Sequence, residues 1–124
     1  DELIKTHRVD VDRVYLTGLS MGGFGTWDTA FDYPQTYAAI VPICGGAGVQ
    51  WLIADRLKHL PIWIFHGAKD PVVEPALSQK MYDALKKMGG NVKLTLYPNL
   101  THDSWTATYA DPALWEWLFQ QRRG

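Results

Sequence analysis

Four short apolar runs divide this chain, and each segment between them is long enough to hold a helix. The runs cover residues 14–17, 38–43, 61–65 and 92–97. Parallel strands need a crossover of about a dozen residues or more, usually a helix, whereas antiparallel neighbours can be joined by a tight turn. The alternation therefore predicts an α/β fold with about four parallel strands and helices on both faces of the sheet. Continuous apolar runs such as residues 62–65 agree with strands that are covered on both faces.

The segments between the runs carry helix signals. Helices are predicted from after Gly23 to about residue 33 and over residues 49–57, 74–88 and 112–121, and residues 1–7 are typical of the end of an earlier helix. Pro34 ends the first of these, because proline cannot continue a helix. Over residues 74–88 apolar side chains recur at spacings of four and three, which predicts one buried face. Gly89 and Gly90 are expected to cap that helix.

The most specific local feature is Gly18-Leu19-Ser20-Met21-Gly22, between the first predicted strand and the first predicted helix. It matches G-x-S-x-G, the pattern of a nucleophile elbow, in which a sharp turn lifts the serine oxygen clear of the backbone. Glycines are expected on both sides of Ser20 because so tight a turn leaves no room for side chains. The turn would also aim the backbone N–H of Met21 at an oxyanion. An ordinary tight turn is the alternative, and the strand before it and helix after it favour the nucleophile.

Two further polar residues follow predicted strands, and open parallel sheets carry their active sites at the carboxyl ends of strands. Asp70 follows the third run and precedes Pro71, so by itself it also fits a turn or a helix cap. His102 lies in a loop after the fourth run. In the order serine, acid, histidine, the acid would hold the Nδ1–H of the histidine, and the histidine would take the serine proton. Ser20, Asp70 and His102 are therefore the predicted nucleophile, acid and base.

Other titratable residues fit this arrangement less well. Glu74 is the reserve candidate for the acid, whereas Asp55 and Asp111 are expected on the surface. His66 also ends a predicted strand, but it precedes Asp70 in the chain, so it breaks the expected order.

Composition and charge argue against several other classes of function. The 124 residues are expected to form one domain, and a net charge of −1 leaves no basic surface for nucleic acid or anionic membranes. Cys44 is the only cysteine and is expected to be buried as a small hydrophobic residue. No H-x-x-x-H pattern, cysteine pair or dense carboxylate cluster is present, so no metal or cofactor is predicted. No apolar run approaches the ~18 residues that span a bilayer, and the first residues are not those of a signal peptide.

The last predicted helix carries Trp115 and Trp117, two of six tryptophans in the chain. Residues two apart on a helix point in different directions, so both cannot face the sheet. One of them is expected to be exposed or to be covered by something outside this chain.

Together these motifs resemble the bacterial esterase and predicted-peptidase group of the α/β-hydrolase superfamily, whose members are related to polyhydroxybutyrate depolymerases and feruloyl esterases. The resemblance lies in residues 14–27, 41–46, 65–73, 102–105, 109–112 and 114–118. It implies hydrolysis of a small carboxylic ester through an acyl-enzyme, without a cofactor, with the family's nucleophile, acid and base on Ser20, Asp70 and His102. Activity should then fall as His102 becomes protonated, below about pH 6–7 from the ordinary pKa of histidine. The resemblance also favours a bacterial, secreted or periplasmic protein.

The chain corresponds to only the C-terminal half of such enzymes. Their N-terminal half supplies a second oxyanion N–H and one wall of the substrate pocket, so short-chain, activated esters are the expected substrates. Loss of one oxyanion donor costs about 3–4 kcal/mol of transition-state stabilisation, or ~10²–10³ in rate. The strand over residues 14–17 is then expected to be an uncovered sheet edge, through which chains associate as a homodimer or larger homo-oligomer.

Two alternatives use the same three residues. A catalytically silent fragment would retain them while acting as a scaffold or needing a complementing partner, and the absent oxyanion loop favours this alternative. A serine peptidase would have to protonate an amine leaving group in a deeper cleft, and is less favoured than an esterase.

Overall fold

The computed structural model describes residues 14–46 and 55–122. Its strands are β1 (Tyr15–Leu19), β2 (Ala39–Ile43), β3 (Ile62–Gly67) and β4 (Val92–Tyr97), and its helices are α1 (Met21–Asp32), α2 (Pro75–Lys87), α3 (Trp105–Ala110) and α4 (Pro112–Phe119). Each predicted strand is present, with ends that differ by at most two residues. The helical segments predicted over residues 1–7 and 49–54 lie outside the described residues, and residues 55–57 form a 3₁₀ turn. Across the two described ranges, no helix has the length and apolar character needed to cross a membrane.

The four strands form one parallel sheet in the order β1-β2-β3-β4. Each strand lies beside the one before it in the chain, so that Tyr15 pairs with Ala39 and Ile62 pairs with Val92. The predicted α/β fold with four parallel strands is confirmed. Because the strands are parallel, the segments that follow them all begin at the same end of the sheet, where the carboxyl ends of the strands lie.

Alternate strand residues contribute to two hydrophobic clusters, one on each face of the sheet. The cluster beneath α1 and α2 includes Trp27, Ile40, Ile62, Ile64 and Leu85, and the cluster beneath α4 includes Val41, Ile43, Phe65, Leu114 and Leu118. Successive side chains of a strand point to opposite faces, so the two helical layers bury both sets. This burial explains why β2 and β3 read as continuous apolar segments, whereas Lys93 and Thr95 interrupt the apolar residues of β4.

The short helix α3 lies where the sequence analysis predicted a loop. Its six residues, WTATYA, have no apolar repeat at helical spacing, so periodicity does not reveal it. Local hydrogen bonds form it instead, because Asp103 Oδ1 accepts from the amide of Thr106 (3.1 Å). Asp111 then ends α3, and its side chain accepts from the amide of Ala113 (2.9 Å) at the start of α4.

Both tryptophans of α4 are half-buried, and neither is exposed as the sequence analysis expected. The ring of Trp115 stacks on Tyr109 with 6.1 Å between centroids, whereas Trp117 lies edge-on to Trp63 at 5.5 Å. The expectation was wrong because aromatic side chains of α3 and β3 cover the two rings.

Strand β1 forms one edge of the sheet, and in the described part of the chain it pairs only with β2. The amide of Ser20, just beyond β1, donates to the carbonyl of Ile43 on β2 (3.0 Å). Backbone groups point alternately to the two sides of a strand, so those of Tyr15, Thr17 and Leu19 point away from β2. This edge therefore presents donors and acceptors that β2 does not satisfy.

Candidate active site

Ser20 lies in the turn between β1 and α1, with backbone angles φ 52° and ψ −115°. A positive φ is unfavourable for a residue with a side chain, so the surroundings must hold this turn. The amide of Ser20 donates to the carbonyl of Ile43 (3.0 Å) and lies 3.3 Å from Cys44 Sγ. The carbonyl of Ser20 accepts from the amide of Phe24 (3.1 Å). The end of β2 and the first turn of α1 therefore anchor Ser20.

Glycine is required at two positions of this turn, and one of them lies outside the G-x-S-x-G pattern. A Cβ on Gly18 would clash with the carbonyl of Gly22, whereas Gly22 itself has open space where a Cβ would lie. A Cβ on Gly23 would lie 2.7 Å from the carbonyl oxygen of Ile43 and 2.9 Å from the Cα of Gly45. Gly23 therefore lets α1 approach the end of β2.

The structure brings Ser20, Asp70 and His102 together, although they follow three different strands. Ser20 Oγ lies 2.9 Å from His102 Nε2, and His102 Nδ1 lies 2.8 Å from Asp70 Oδ2. An ionised carboxylate can only accept, so Nδ1 carries the proton and Nε2 can accept the hydroxyl proton of Ser20. The Asp70 side chain is fully buried, whereas that of His102 is 22% exposed. This geometry allows a proton to move from the serine to the imidazole.

The other oxygen of Asp70 is held by the backbone. The amides of Val72 (2.8 Å) and Val73 (2.9 Å) both donate to Oδ1. Burial by itself raises the pKa of Asp70, but the hydrogen bonds from His102 and from these amides outweigh it, so the pKa lies below the ordinary value of 3.8. Asp70 is therefore ionised at neutral pH and fixed in orientation. Glu74, the reserve acid, is exposed at the start of α2.

The lowered pKa of Asp70 predicts a contribution to stability that is lost in acid. Because the pKa is lower in the folded state, the ionised carboxylate stabilises the fold above the unfolded-state value, and this stabilisation disappears as the pH falls through the folded-state value. Urea unfolding at about pH 6 and about pH 3, either side of the ordinary aspartate pKa, is expected to give a larger fall in the free energy of unfolding for wild type than for Asp70→Asn. Equal falls in the two proteins would contradict the prediction.

His66, which the chain order ruled out as the base, is a fully buried neighbour of Asp70. Its Nε2 lies 2.8 Å from the carbonyl oxygen of Val73 and 3.3 Å from Asp70 Oδ2. Its Nδ1 lies 2.7 Å from Ser78 Oγ, on α2. Sequence reasoning missed these contacts, since its only signal was a histidine at the end of a strand four residues before Asp70.

The loop after β3 and the loop after β4 are joined to each other. The amide of Lys69 donates to the carbonyl of Leu100 (3.0 Å). A Cβ on Gly67 would clash with the carbonyl of Thr101, so this glycine lets the loop before His102 lie against the end of β3.

Replacing Gly67 with alanine is expected to push this loop away and to displace His102. The overpacking should cost about 1–3 kcal/mol of stability. The matched control is Gly25→Ala in α1, where a Cβ meets open space and alanine should be neutral or stabilise by about 0.5–1 kcal/mol. Urea unfolding of the three proteins checks this, and a Gly67→Ala protein as stable as wild type would show that the packing is looser than described.

Cys44 follows β2 beneath the Ser20 turn and is buried, as predicted. Burial raises the pKa of its thiol, so the sulfur stays protonated and packs instead of acting as a nucleophile. No group of three or more His, Cys, Asp or Glu residues within 14–46 and 55–122 could hold a metal ion.

Met21 begins α1, so its amide is one of those that a helix leaves without an intrahelical acceptor. Its side chain is 86% exposed. Because it directly follows Ser20, this amide can donate to a negative oxygen that forms on a group attached to Ser20.

Comparison with known proteins gives three findings. Residues 1–111 match the family described as Phospholipase/Carboxylesterase. The chain is 30% identical over 102 residues to acyl-protein thioesterase 1 of Neurospora crassa, a match that covers 77% of this chain and 42% of that protein. It is 46% identical over 46 residues to poly(3-hydroxyalkanoate) depolymerase C of Paucimonas lemoignei, covering 37% of this chain and 11% of that protein.

Among solved structures, the fold matches the crystal structure of a thermostable esterase with a TM-score of 0.94 and 40% sequence identity. The superposition covers 98% of this chain and 34% of the esterase chain. The chain thus spans less than half the length of each of these three proteins.

Proposed function

The chain belongs to the phospholipase/carboxylesterase family of α/β-hydrolases, and from this premise we propose that it is a serine esterase that hydrolyses short-chain carboxylic esters through an acyl-enzyme. One observation carries the proposal. Ser20 Oγ, the His102 ring and the Asp70 carboxylate form a continuous hydrogen-bonded series with distances of 2.9 Å and 2.8 Å. Such a series is what a serine needs to become a nucleophile.

In this proposal Ser20 attacks the acyl carbon while His102 Nε2 takes its proton. Asp70 orients the ring and stabilises the imidazolium that forms, and the lowered pKa of Asp70 keeps it ionised for this role. His102 then gives the proton to the departing alcohol. Water, activated by the same histidine, attacks the acyl-enzyme and releases the acid.

The amide of Met21 is proposed as a donor to the oxyanion of the tetrahedral intermediate. Removing one such donor costs about 3–4 kcal/mol in enzymes of this kind. Short acyl groups, which need few contacts beyond those at Ser20, are the proposed substrates.

Thioester hydrolysis is a second candidate, because the similarity to a protein named as an acyl-protein thioesterase extends over 77% of this chain. The attack on the acyl carbon would be the same, but a thiolate leaves without needing a proton from His102. Ethyl butyrate and S-ethyl thiobutyrate differ at one atom, so their relative kcat/KM values decide between the candidates. A peptidase would need His102 to protonate an amine, and is less favoured.

Hydrolysis of p-nitrophenyl acetate and butyrate by the purified chain tests the proposal. A burst of nitrophenol followed by slower turnover is expected, with the acyl group found on Ser20 by mass spectrometry after acid quenching. A folded chain without turnover above background would instead support a catalytically silent fragment that acts as a scaffold or needs a complementing partner.

We further propose that residues 1–124 act as one catalytic domain that self-associates through the outer edge of β1. The backbone groups of Tyr15, Thr17 and Leu19 point away from β2, and open strand edges pair readily with other chains. Light scattering should give a mass at least twice that of one chain. Thr17→Pro removes one outward backbone amide together with the side-chain hydrogen bond from Thr17 Oγ1 to the Val41 carbonyl on β2 (2.7 Å), and it should shift the protein towards monomer. Thr17→Val, which keeps the backbone amide and loses only the side-chain hydroxyl, is the matched control and should leave the mass unchanged. A monodisperse wild-type monomer would contradict the proposal.

A further inference from the structure

The imidazole of His66 is buried completely, yet it takes no part in the proposed reaction. Burying a polar ring costs free energy unless its nitrogens find partners. Both nitrogens of His66 have them, so the identity of these partners indicates what the residue contributes.

Nε2 of His66 faces two acceptors, the carbonyl oxygen of Val73 at 2.8 Å and Asp70 Oδ2 at 3.3 Å. Neither can donate, so Nε2 carries a proton and donates it to the Val73 carbonyl. On the other side of the ring, Nδ1 lies 2.7 Å from Ser78 Oγ, which lies 3.2 Å from the carbonyl oxygen of Gly45. The ring is therefore fixed between the loop after β3, helix α2 and the end of β2.

Val73 links this ring to the carboxylate. Its carbonyl accepts from His66, and its amide donates to Asp70 Oδ1 at 2.9 Å. The bond from His66 holds the peptide group that follows Val73 and so restricts rotation of the backbone at this residue. The Val73 amide, on the preceding peptide group, is thereby kept directed at Asp70 Oδ1 and restricts rotation of the carboxylate. The other carboxylate oxygen, Oδ2, receives Nδ1 of His102.

We propose that His66 is a positioning residue, which holds the Val73 turn so that Asp70 Oδ2 stays directed at His102. The proposal rests on the serine-esterase function, although His66 itself lies in a layer behind the reacting groups. The proposal predicts that loss of the His66 hydrogen bond makes the imidazolium form of His102 less stable. The reason is that a carboxylate that is free to rotate stabilises an imidazolium less well.

Asp103 and Cys44 are titratable groups close to this series, and the polar contacts of His66 go instead to Ser78, Val73 and Asp70. Asp103 follows His102 directly and is bonded to Thr106 (3.1 Å). The thiol of Cys44 is protonated, because burial raises its pKa. Since His66→Gln and His66→Asn both remove the imidazole, a difference in the titration of His102 between these two variants reports the route through Val73 and Asp70.

Two neutral, polar variants separate the proposed role from mere filling of space. In His66→Gln the side-chain amide can reach the position of Nε2 and donate to Val73, whereas in His66→Asn it reaches only the position of Nδ1. We expect His66→Gln to retain wild-type kcat for p-nitrophenyl butyrate. His66→Asn is expected to lose up to about a hundredfold in kcat, because a small displacement of a catalytic group has an effect of that size. Its KM should be unchanged, and the acid limb of its pH–kcat profile should move to lower pH.

Ile64→Val, a mild truncation on the same face of β3, is the control for lost stability. It should unfold more easily while keeping the wild-type pH profile. The inference is overturned if His66→Asn keeps the wild-type kcat and the wild-type dependence of kcat on pH. It is also overturned if His66→Gln and His66→Asn lose equal activity while the acid limb of the pH–kcat profile stays in place.

Nuclear magnetic resonance tests the same inference without turnover. The ring proton of His102 should titrate at lower pH in His66→Asn than in wild type or His66→Gln, and identical titrations would overturn the inference. If wild type proves inactive on esters, the proposed function fails while this titration still decides the role of His66. Should His66→Asn not fold, the wild-type spectrum decides, because an exchange-protected Nε2–H coupled to the Val73 carbonyl is expected and its absence would overturn the inference.

Discussion

Replacing Ser20 with alanine is expected to lower kcat/KM for p-nitrophenyl butyrate by at least about 10⁴-fold, to the background rate. Without the hydroxyl, no acyl-enzyme can form and Nε2 of His102 has no proton to take. The change removes one oxygen from a turn that is held by backbone bonds to Ile43 and Phe24, so the fold should persist. Initial rates, together with circular dichroism to confirm folding, check this.

His102→Ala should fall to the same level as Ser20→Ala, and the double variant should fall no further, because the two residues act as one unit. The matched control is His59→Ala. His59 is exposed, and its Nε2 bonds to the carbonyl of Pro34 (2.8 Å), so this variant should keep wild-type activity. A Ser20→Ala protein that retains a tenth or more of the wild-type rate would mean that another group carries the reaction.

The second large effect is expected for Asp70→Asn, with a loss of about 10⁴-fold in kcat, the size of effect such a change has in a serine protease. The amides of Val72 and Val73 both need an acceptor at the position of Oδ1. The amide oxygen of asparagine must therefore take that place, which leaves its NH₂ group facing His102 Nδ1. Nδ1 then has to accept, so the ring proton moves to Nε2. In that tautomer the ring can no longer take the proton of Ser20.

The matched control for this change is Asp55→Asn, which alters an exposed carboxylate and should leave kcat unchanged. Rates measured across the neutral range would separate lost activity from lost stability. If Asp70→Asn lost less than tenfold, the acid would have to be another carboxylate, and Glu74 would be the first to replace.

Local patterns were enough to predict the strands and to single out the three side chains that the structure brings together. Strands β2 and β3 are apolar runs because both faces of the sheet are covered there, whereas β1 and β4 lie at the two edges of the sheet and are partly exposed. Ser20, Asp70 and His102 each follow a strand, and the carboxyl ends of parallel strands lie at the same end of the sheet. Their proximity can therefore be predicted without knowing how the side chains pack. The order of the three in the chain then distinguished His102 from His66.

The remaining features depend on contacts between distant segments, which no local pattern encodes. The environment of His66 is created by α2, whose Ser78 reaches the ring only once that helix packs on β3. Gly23 is needed because α1 crosses close to the end of β2. The rings of Trp115 and Trp117 are covered by Tyr109 and Trp63 from other elements. Helix α3 escaped prediction for a different reason, since it is too short to display a period.

The sequential order of the strands has a consequence for how activity appears during folding. Ser20 follows the first described strand and His102 follows the last, and 82 positions of chain separate the two hydrogen-bonded partners. A nascent or refolding chain can pair β1, β2 and β3 in turn while Ser20 still lacks its base. Closing that large loop carries an entropic cost that the earlier, shorter connections do not. Recovery of esterase activity would therefore follow the docking of β4, and would lag behind the growth of helical signal in a stopped-flow refolding experiment.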